Sequence, residues 1–310
     1  MNTSTRTTRQ RTTDGTTMQA ITQDRYGEAE DVLRLEEIGR PAIGDEEVLL
    51  SVHAAGVDRG VWHLMTGLPY PVRLAGYGTR APKTPVRGRE VAGRVEATGR
   101  AVTTLHVGDE VFGIADGSFA EYASARPDKL ALKPANLTFA QAAAVPVSAL
   151  TALQAVHDRG HVQTGNRVLV IGASGGVGTF AVQIAKAAGA EVTGMCRTAK
   201  MDTVRSLGAD HVIDYTREDI TAGGRRYDVI LDIGGNRALK HLRSVLTPRG
   251  TLVIVGGETG GRWLAGSDRQ LRALLRSACP PPVVQRLMTT LPWARPSRMY
   301  WMAAGVWLSG

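Results

Sequence analysis

The chain has 310 residues, 37 Lys+Arg against 29 Asp+Glu, and a formal net charge of +8. That surplus sits at the ends: Arg6, Arg9 and Arg11 face only Asp14 in residues 1–17, and seven arginines face only Asp268 in residues 262–310, so residues 18–261 balance at 27 against 27. The overall charge of this neutral middle therefore calls for neither nucleic acid nor an anionic membrane as a partner.

The length predicts two domains. Cys196 and Cys279 are the only cysteines, which excludes a disulfide framework or a four-cysteine zinc lobe and fits a reducing, cytoplasmic setting. The apolar run Met299–Leu308 is about half the ~20 residues that span a bilayer, so no membrane segment is expected. Residues 1–17 have no apolar h-region of a secretory signal; their basic, acid-poor composition leaves an organelle transit peptide as the lesser alternative to a plain disordered tail.

In chain order, residues 1–17 are Thr- and Arg-rich without apolar periodicity and read as a disordered tail. Met18-Gln-Ala-Ile-Thr opens the folded part as a strand. Glu47–Ala54 alternates like a half-buried strand, and Glu90–Gly99 and Gly108–Gly113 add two more with glycine turns. Residues 18–137 thus read as an all-β, barrel-like unit. After Leu137 the texture changes. Ala140–His157 is Ala-rich and helical around Pro146, and Arg167–Gly172 is a buried strand entering a glycine-rich turn. Val177, Phe180, Ala181, Ile184, Ala185 and Ala188 then recur on one helical face. Glu191–Met195, His211–Asp214, Tyr227–Asp232 and Thr251–Gly257 are further strands, with a helix over Val204–Leu207. Strands alternating with helices over 138–270 predict a doubly wound parallel sheet, and the whole is α/β.

The strongest local signal is Val170-Ile-Gly-Ala-Ser-Gly-Gly-Val-Gly178 between a strand and an amphipathic helix. It matches the dinucleotide fingerprint with Ala173 at the first glycine position. Gly175 allows a pyrophosphate to approach the backbone, Gly178 allows helix and strand to pack closely, and the helix N-terminus offers its amides. An acidic residue at the end of the next strand would accept a ribose 2′-hydroxyl; Met195-Cys-Arg-Thr-Ala-Lys200 has none. Arg197 and Lys200 suit a 2′-phosphate instead, which points to NADP rather than NAD.

These features resemble the medium-chain dehydrogenase/reductase superfamily, in its zinc-independent quinone oxidoreductase branch. The resemblance covers residues 18–265. It rests on Arg34-Leu-Glu-Glu, Val52-His-Ala-Ala-Gly-Val-Asp58, Gly88-Arg-Glu-Val-Ala-Gly-Arg-Val, Gly108-Asp-Glu-Val-Phe-Gly, Ala142–Ala152, Gly172–Gly178 and Leu207–Tyr215, in the family's order. It implies a GroES-like β-barrel catalytic domain over 18–137, a Rossmann domain over 138–270, NADP as cofactor, and hydride transfer to a quinone or an α,β-unsaturated carbonyl. It further implies that Lys200 and Tyr215 contact the 2′-phosphate, and that Thr151, Gly175, Gly176 and Val177 contact the nicotinamide side and pyrophosphate. Ile233 and Gly256 would lie near the nicotinamide ribose. Asp58, in place of the branch's asparagine, is the catalytic candidate, weighed against a structural hydrogen bond. The resemblance is also compatible with a homodimer, since relatives often pair through sheet edges of the cofactor domain, and it leaves the oligomeric state open.

Where the zinc enzymes of the superfamily carry ligands, this chain has Asp58, Arg89 and Val147, so no metal is expected. His53 reads as a strand residue, His63 as pocket-lining at most, and Cys196 as structural. Trp62, His63, Leu64, Pro69 and Tyr70 read as pocket lining or as a packed loop. Arg73, Arg80, Lys83, Arg87 and Arg89 read as a solvated loop face. The resemblance stops near residue 270: residues 271–310 are Arg-, Pro- and Trp-rich, with Trp293, Trp301 and Trp307. This atypical tail is expected to arise from a reading frame shifted near residues 277–290 and to leave a sheet edge unpaired, the alternative being a genuine different ending that serves as a dimer contact or membrane-surface anchor. The competing reading is a non-enzymatic nucleotide-binding protein or an inactive, C-terminally truncated remnant. A short-chain reductase is disfavoured because no tyrosine has lysine four residues on.

Overall fold

The structure is a computed structural model that describes residues 16–256 and the strand 284–287. Strand β1 (Thr17–Thr22), helix α1 (Ala29–Val32) and strand β2 (Arg34–Gly39) come first, and β1 and β2 form an antiparallel ribbon. There follow β3 (Val48–Ala55), α2 (Arg59–Thr66), β4 (Glu90–Thr98), β5 (Glu110–Ile114), β6 (Tyr122–Ala125) and β7 (Leu130–Leu132). These five strands make an antiparallel sheet in the order β6-β3-β4-β5-β7. Its apolar face collects Val48, Leu50, Val91, Val95, Val111 and Leu130, as the period-2 alternation requires.

Two helices lead onward, α3 (Phe139–Ala143) and α4 (Pro146–Leu153). α3 opens with a capping box: Thr138 Oγ1 accepts from Gln141 N, and Gln141 Oε1 accepts from Thr138 N. The second sheet uses β8 (Arg167–Ile171), α5 (Gly176–Ala187), β9 (Glu191–Cys196), α6 (Met201–Ser206), β10 (His211–Asp214), β11 (Tyr227–Asp232), α7 (Leu239–Ser244), β12 (Leu246–Ile254) and β13 (Val284–Leu287). All its pairs are parallel, in the order β10-β9-β8-β11-β12-β13. Counted from β8 this is the 3-2-1-4-5-6 order of dinucleotide-binding sheets. Alternate residues supply two cores. Val168, Val170, Val192 and Leu231 pack with Ala149, Ala152, Phe180 and Ala181, while Leu169, Ile171, Ile230 and Leu252 pack with Leu239 and Leu242. Burial on both faces explains why these strands read as continuous apolar runs.

Two expectations are corrected. The basic stretch 73–89 is not uniformly solvated. Arg87 is buried and donates from Nη2 to the Thr84 carbonyl, and the Arg73 guanidinium lies 4.4 Å from the Tyr26 ring centre and 4.9 Å from that of Tyr70. Guanidinium stacking on aromatic faces satisfies a cation that composition alone assigns to water. Only Arg80 and Lys83 of the five are exposed. The outer edge of β12, expected to stand unpaired, is covered by β13, with Thr251 opposite Val284 and Ile254 opposite Leu287. The remainder of 257–310, and the tail 1–15, lie outside the described residues. Among the described residues no helix is long and apolar enough to cross a membrane.

Candidate active site

Parallel topology puts the carboxyl ends of β8, β9, β10, β11 and β12 along one edge of the sheet. The strand order reverses between β8 and β11, and a crevice opens at such a switch point. Gly172 leaves β8 with φ 84°, and a Cβ there would lie 3.1 Å from the Gly234 amide nitrogen across the crevice. A Cβ on Gly178 would lie 2.0 Å from the Gly172 carbonyl oxygen, so only glycine lets α5 approach β8 this closely. Gly175, by contrast, has its nearest neighbour at 3.4 Å, and no side chain caps α5. The amides at the start of this twelve-residue helix therefore face a shallow cradle, which suits a pyrophosphate. The loops after β11 and β12 close the same edge: Gly256 N donates to the Asp232 carbonyl at 3.1 Å, and a Cβ on Gly256 would lie 1.9 Å from the Ile233 carbonyl oxygen.

At one end of this edge stand Arg197, after β9, and Tyr215, after β10. Arg197 Nε donates to the Tyr215 hydroxyl, and the guanidinium sits 6.0 Å from the ring centre. Lys200 lies one short turn further on, exposed. Asp214, which the sequence reading passed over, organises this corner. Its carboxylate accepts from the Thr198 hydroxyl, and from the Thr216 amide and hydroxyl at 2.9 and 2.7 Å. The hydroxyl of Thr198, followed by the Thr216 donors, holds the Asp214 carboxyl below the usual carboxylate range. Cys196 is buried, and burial pushes its thiol up, which makes it a poor nucleophile.

At the other end, α4 packs against α5, and a Cβ on Gly176 would lie 3.0 Å from Ser148 Oγ. Thr151 is three residues beyond Ser148 on α4, the spacing of side chains on one helix face. From the first sheet, Asp58 Oδ1 accepts from Val61 N at 2.9 Å and caps α2. Glu90, only 2% exposed, opens β4, and its Oε1 accepts from Val147 N at 2.7 Å. Burial first, and the nearby Asp58 charge, push the Glu90 carboxyl up to about 7 against the lowering Val147 amide and Arg89. The carboxyl also explains Gly56: a Cβ there would lie 2.5 Å from both Glu90 Oε2 and the Ala143 carbonyl oxygen. In the sequence Glu90 stands only as a member of the Gly88-Arg-Glu-Val stretch that opens a strand. The available signal was an acid beside the otherwise uncharged run Val91-Ala-Gly93.

The histidines stand apart from one another. His53, on β3, is exposed and stacks on Phe139 with ring centres 4.3 Å apart, and His63 Nδ1 lies 2.7 Å from the Leu68 carbonyl oxygen. Among the described residues no three His, Cys, Asp or Glu side chains converge as a metal site. The structure thus brings Gly175–Gly178, Arg197, Lys200, Tyr215, Ile233 and Gly256 to one sheet edge, with Thr151 on the helix beside it and Asp58 on the first sheet's side.

Residues 44–135 match the family described as alcohol dehydrogenase GroES-like domain, and residues 176–269 match the family described as zinc-binding dehydrogenase. A quinone-oxidoreductase homolog, chloroplastic, of Spinacia oleracea is 34% identical over 227 residues, covering 69% of this chain and 67% of that protein. The NADPH-dependent alkenal/one oxidoreductase, chloroplastic, of Arabidopsis thaliana is 35% identical over 298 residues, covering 86% of this chain and 72% of that protein. A mycobacterial protein solved in complex with NADPH superposes with a TM-score of 0.73 at 27% identity, over 94% of this chain and 88% of that one. The chain belongs to the medium-chain dehydrogenase/reductase superfamily of oxidoreductases, in its quinone oxidoreductase-like branch.

Proposed function

We propose that this chain is an NADPH-dependent reductase that passes hydride to a quinone or an α,β-unsaturated carbonyl without a metal ion. The observation that carries the reading is the glycine cradle at the switch point with the Arg197–Tyr215 pair at its far end. NADP is the cofactor, and when bound it supplies the hydride. The backbone amides of Gly176, Val177 and Gly178 hold the pyrophosphate, Gly175, whose own amide donates to the Gly172 carbonyl at 3.0 Å, leaves room for its approach, and Arg197, Lys200 and Tyr215 hold the 2′-phosphate. Thr151, Ile233 and Gly256 border the nicotinamide half, and Asp58 the substrate side, where its bond to Val61 N fixes the start of α2. The protein then orients the partners; the acceptor is already electrophilic by conjugation, and the anion left by hydride transfer takes its proton from water.

The metal-free reading rests on donor chemistry. At the positions where zinc enzymes of the superfamily carry ligands, Asp58 caps a helix, Arg89 is a cation, and Val147 offers no donor side chain. The two relatives are named for quinone and alkenal/one chemistry, which supports the substrate class. The test is loss of NADPH absorbance with a benzoquinone and with a short-chain enone, each with and without EDTA. Turnover unaffected by EDTA is expected. Strict zinc dependence, or NADPH binding with no turnover of either acceptor, overturns the reading.

A further inference from the structure

We propose that Glu90 is a positioning residue: its buried carboxylate caps α4 from the other sheet and so sets where Ser148 and Thr151 stand relative to Asp58. Helix α4 has no cap of its own. Val145 precedes it without a side-chain hydrogen bond, and Pro146, its first residue, has no N–H to give. The next amides, Val147 and Ser148, are the ones a helix start leaves orphaned. Both turn to Glu90, 57 residues earlier in the chain, with Val147 N at 2.7 Å from Oε1.

The fit is close on every side. Gly56 leaves no room for a Cβ between Glu90 Oε2 and the Ala143 carbonyl, which ends α3. Gly56 N also donates to the Glu90 carbonyl at 3.2 Å. The charged groups near the carboxylate are Asp58 and Arg89, while α3 and α4 contribute none. From this anchor a short mechanical path runs to the cofactor cradle, because Ser148 packs on Gly176 and Thr151 follows on the same helix. One carboxylate therefore joins the substrate side of the cleft to the nicotinamide side. Misplacing reacting groups by about 1 Å lowers a rate by about a hundredfold, so such an anchor acts on kcat.

The inference rests on the reductase reading, and the experiment separates the two. NADPH affinity, and kcat and KM for an enone, are measured for the full chain with Glu90, E90A and E90Q. Amide exchange at Val147 and Ser148 is followed in the same proteins. Glutamine keeps an acceptor oxygen, so E90Q is the conservative rescue. Expected are a kcat lower by about 10- to 100-fold in E90A with NADPH affinity changed less than about threefold, and recovery of most of the kcat in E90Q. The two amides should exchange about tenfold faster in E90A and regain protection in E90Q. An E90A kcat within about twofold of the parent, an E90Q no better than E90A, or NADPH affinity falling in parallel with kcat overturns the proposal. If the parent itself does not turn over, the reductase reading fails alone and amide exchange decides the anchor. Equal exchange in all three proteins then overturns it.

Discussion

The two ends of the cofactor edge are each organised by a buried acid, and the two acids behave oppositely. Asp214, at the adenosine end, is surrounded by hydroxyls and an amide of its own neighbourhood, and these donors hold its carboxyl low. Glu90, at the nicotinamide end, has backbone amides from a distant helix, faces Asp58, and is pushed up to about 7. Both side chains are shielded from water, but burial outweighs the amide donors at Glu90, whereas at Asp214 the Thr198 and Thr216 donors and the Arg217 guanidinium at 3.7 Å outweigh burial.

The sharpest way to break the comparison is pH. Below about 4.5, Glu90 is protonated whether the chain is folded or unfolded. Between 4.5 and about 7 the unfolded chain ionises while the folded one keeps its proton, so the stability contribution falls as pH rises and levels off above 7. The full loss is about 3 kcal/mol. Glu90→Gln cannot titrate, so its stability relative to the parent should rise by about that amount between pH 4.5 and 8 in paired denaturant melts. A constant difference would mean that Glu90 is not shifted.

At the other end, replacing both Arg197 and Lys200 by alanine should weaken NADPH binding by about a hundredfold and leave NADH nearly unchanged, because the lost partners serve only the 2′-phosphate. Fluorescence titration with both nucleotides checks this, and equal losses would sink the assignment. Asp214→Ala, which frees Thr198 and Thr216 but removes no direct contact, should cost about tenfold in NADPH affinity, with partial rescue by Asp214→Asn. The smallest effect is expected for Asp58→Ala: loss of the α2 cap, about 1 kcal/mol of stability by thermal melt. A kcat loss beyond about a hundredfold with unchanged stability would instead make Asp58 a catalytic residue.

What was legible follows from locality. The run from Arg167 through Gly178 into α5 was readable because strand burial, glycine turn and helical period all lie within neighbouring residues. Strands β6 and β7, four and three residues long, give too little alternation to detect. Strand β13 sits in a segment rich in Arg, Pro and Trp, which carries no strand signal of its own, and it is recognised by its pairing with β12. Arg87 reads as a surface cation until the loop folds over it. The importance of Asp214 was hidden because its partners Thr198 and Thr216 come from two different loops.

The sequence by itself determined the two-part organisation, the glycine-rich turn after β8 and the basic residues after β9, since each is written in local spacing and in residue chemistry. Only the tertiary structure decided which acids matter and in what charge state. Hydrogen-bond supply and exclusion of water depend on groups brought together across the chain, such as Glu90 and Val147, and no local pattern records them.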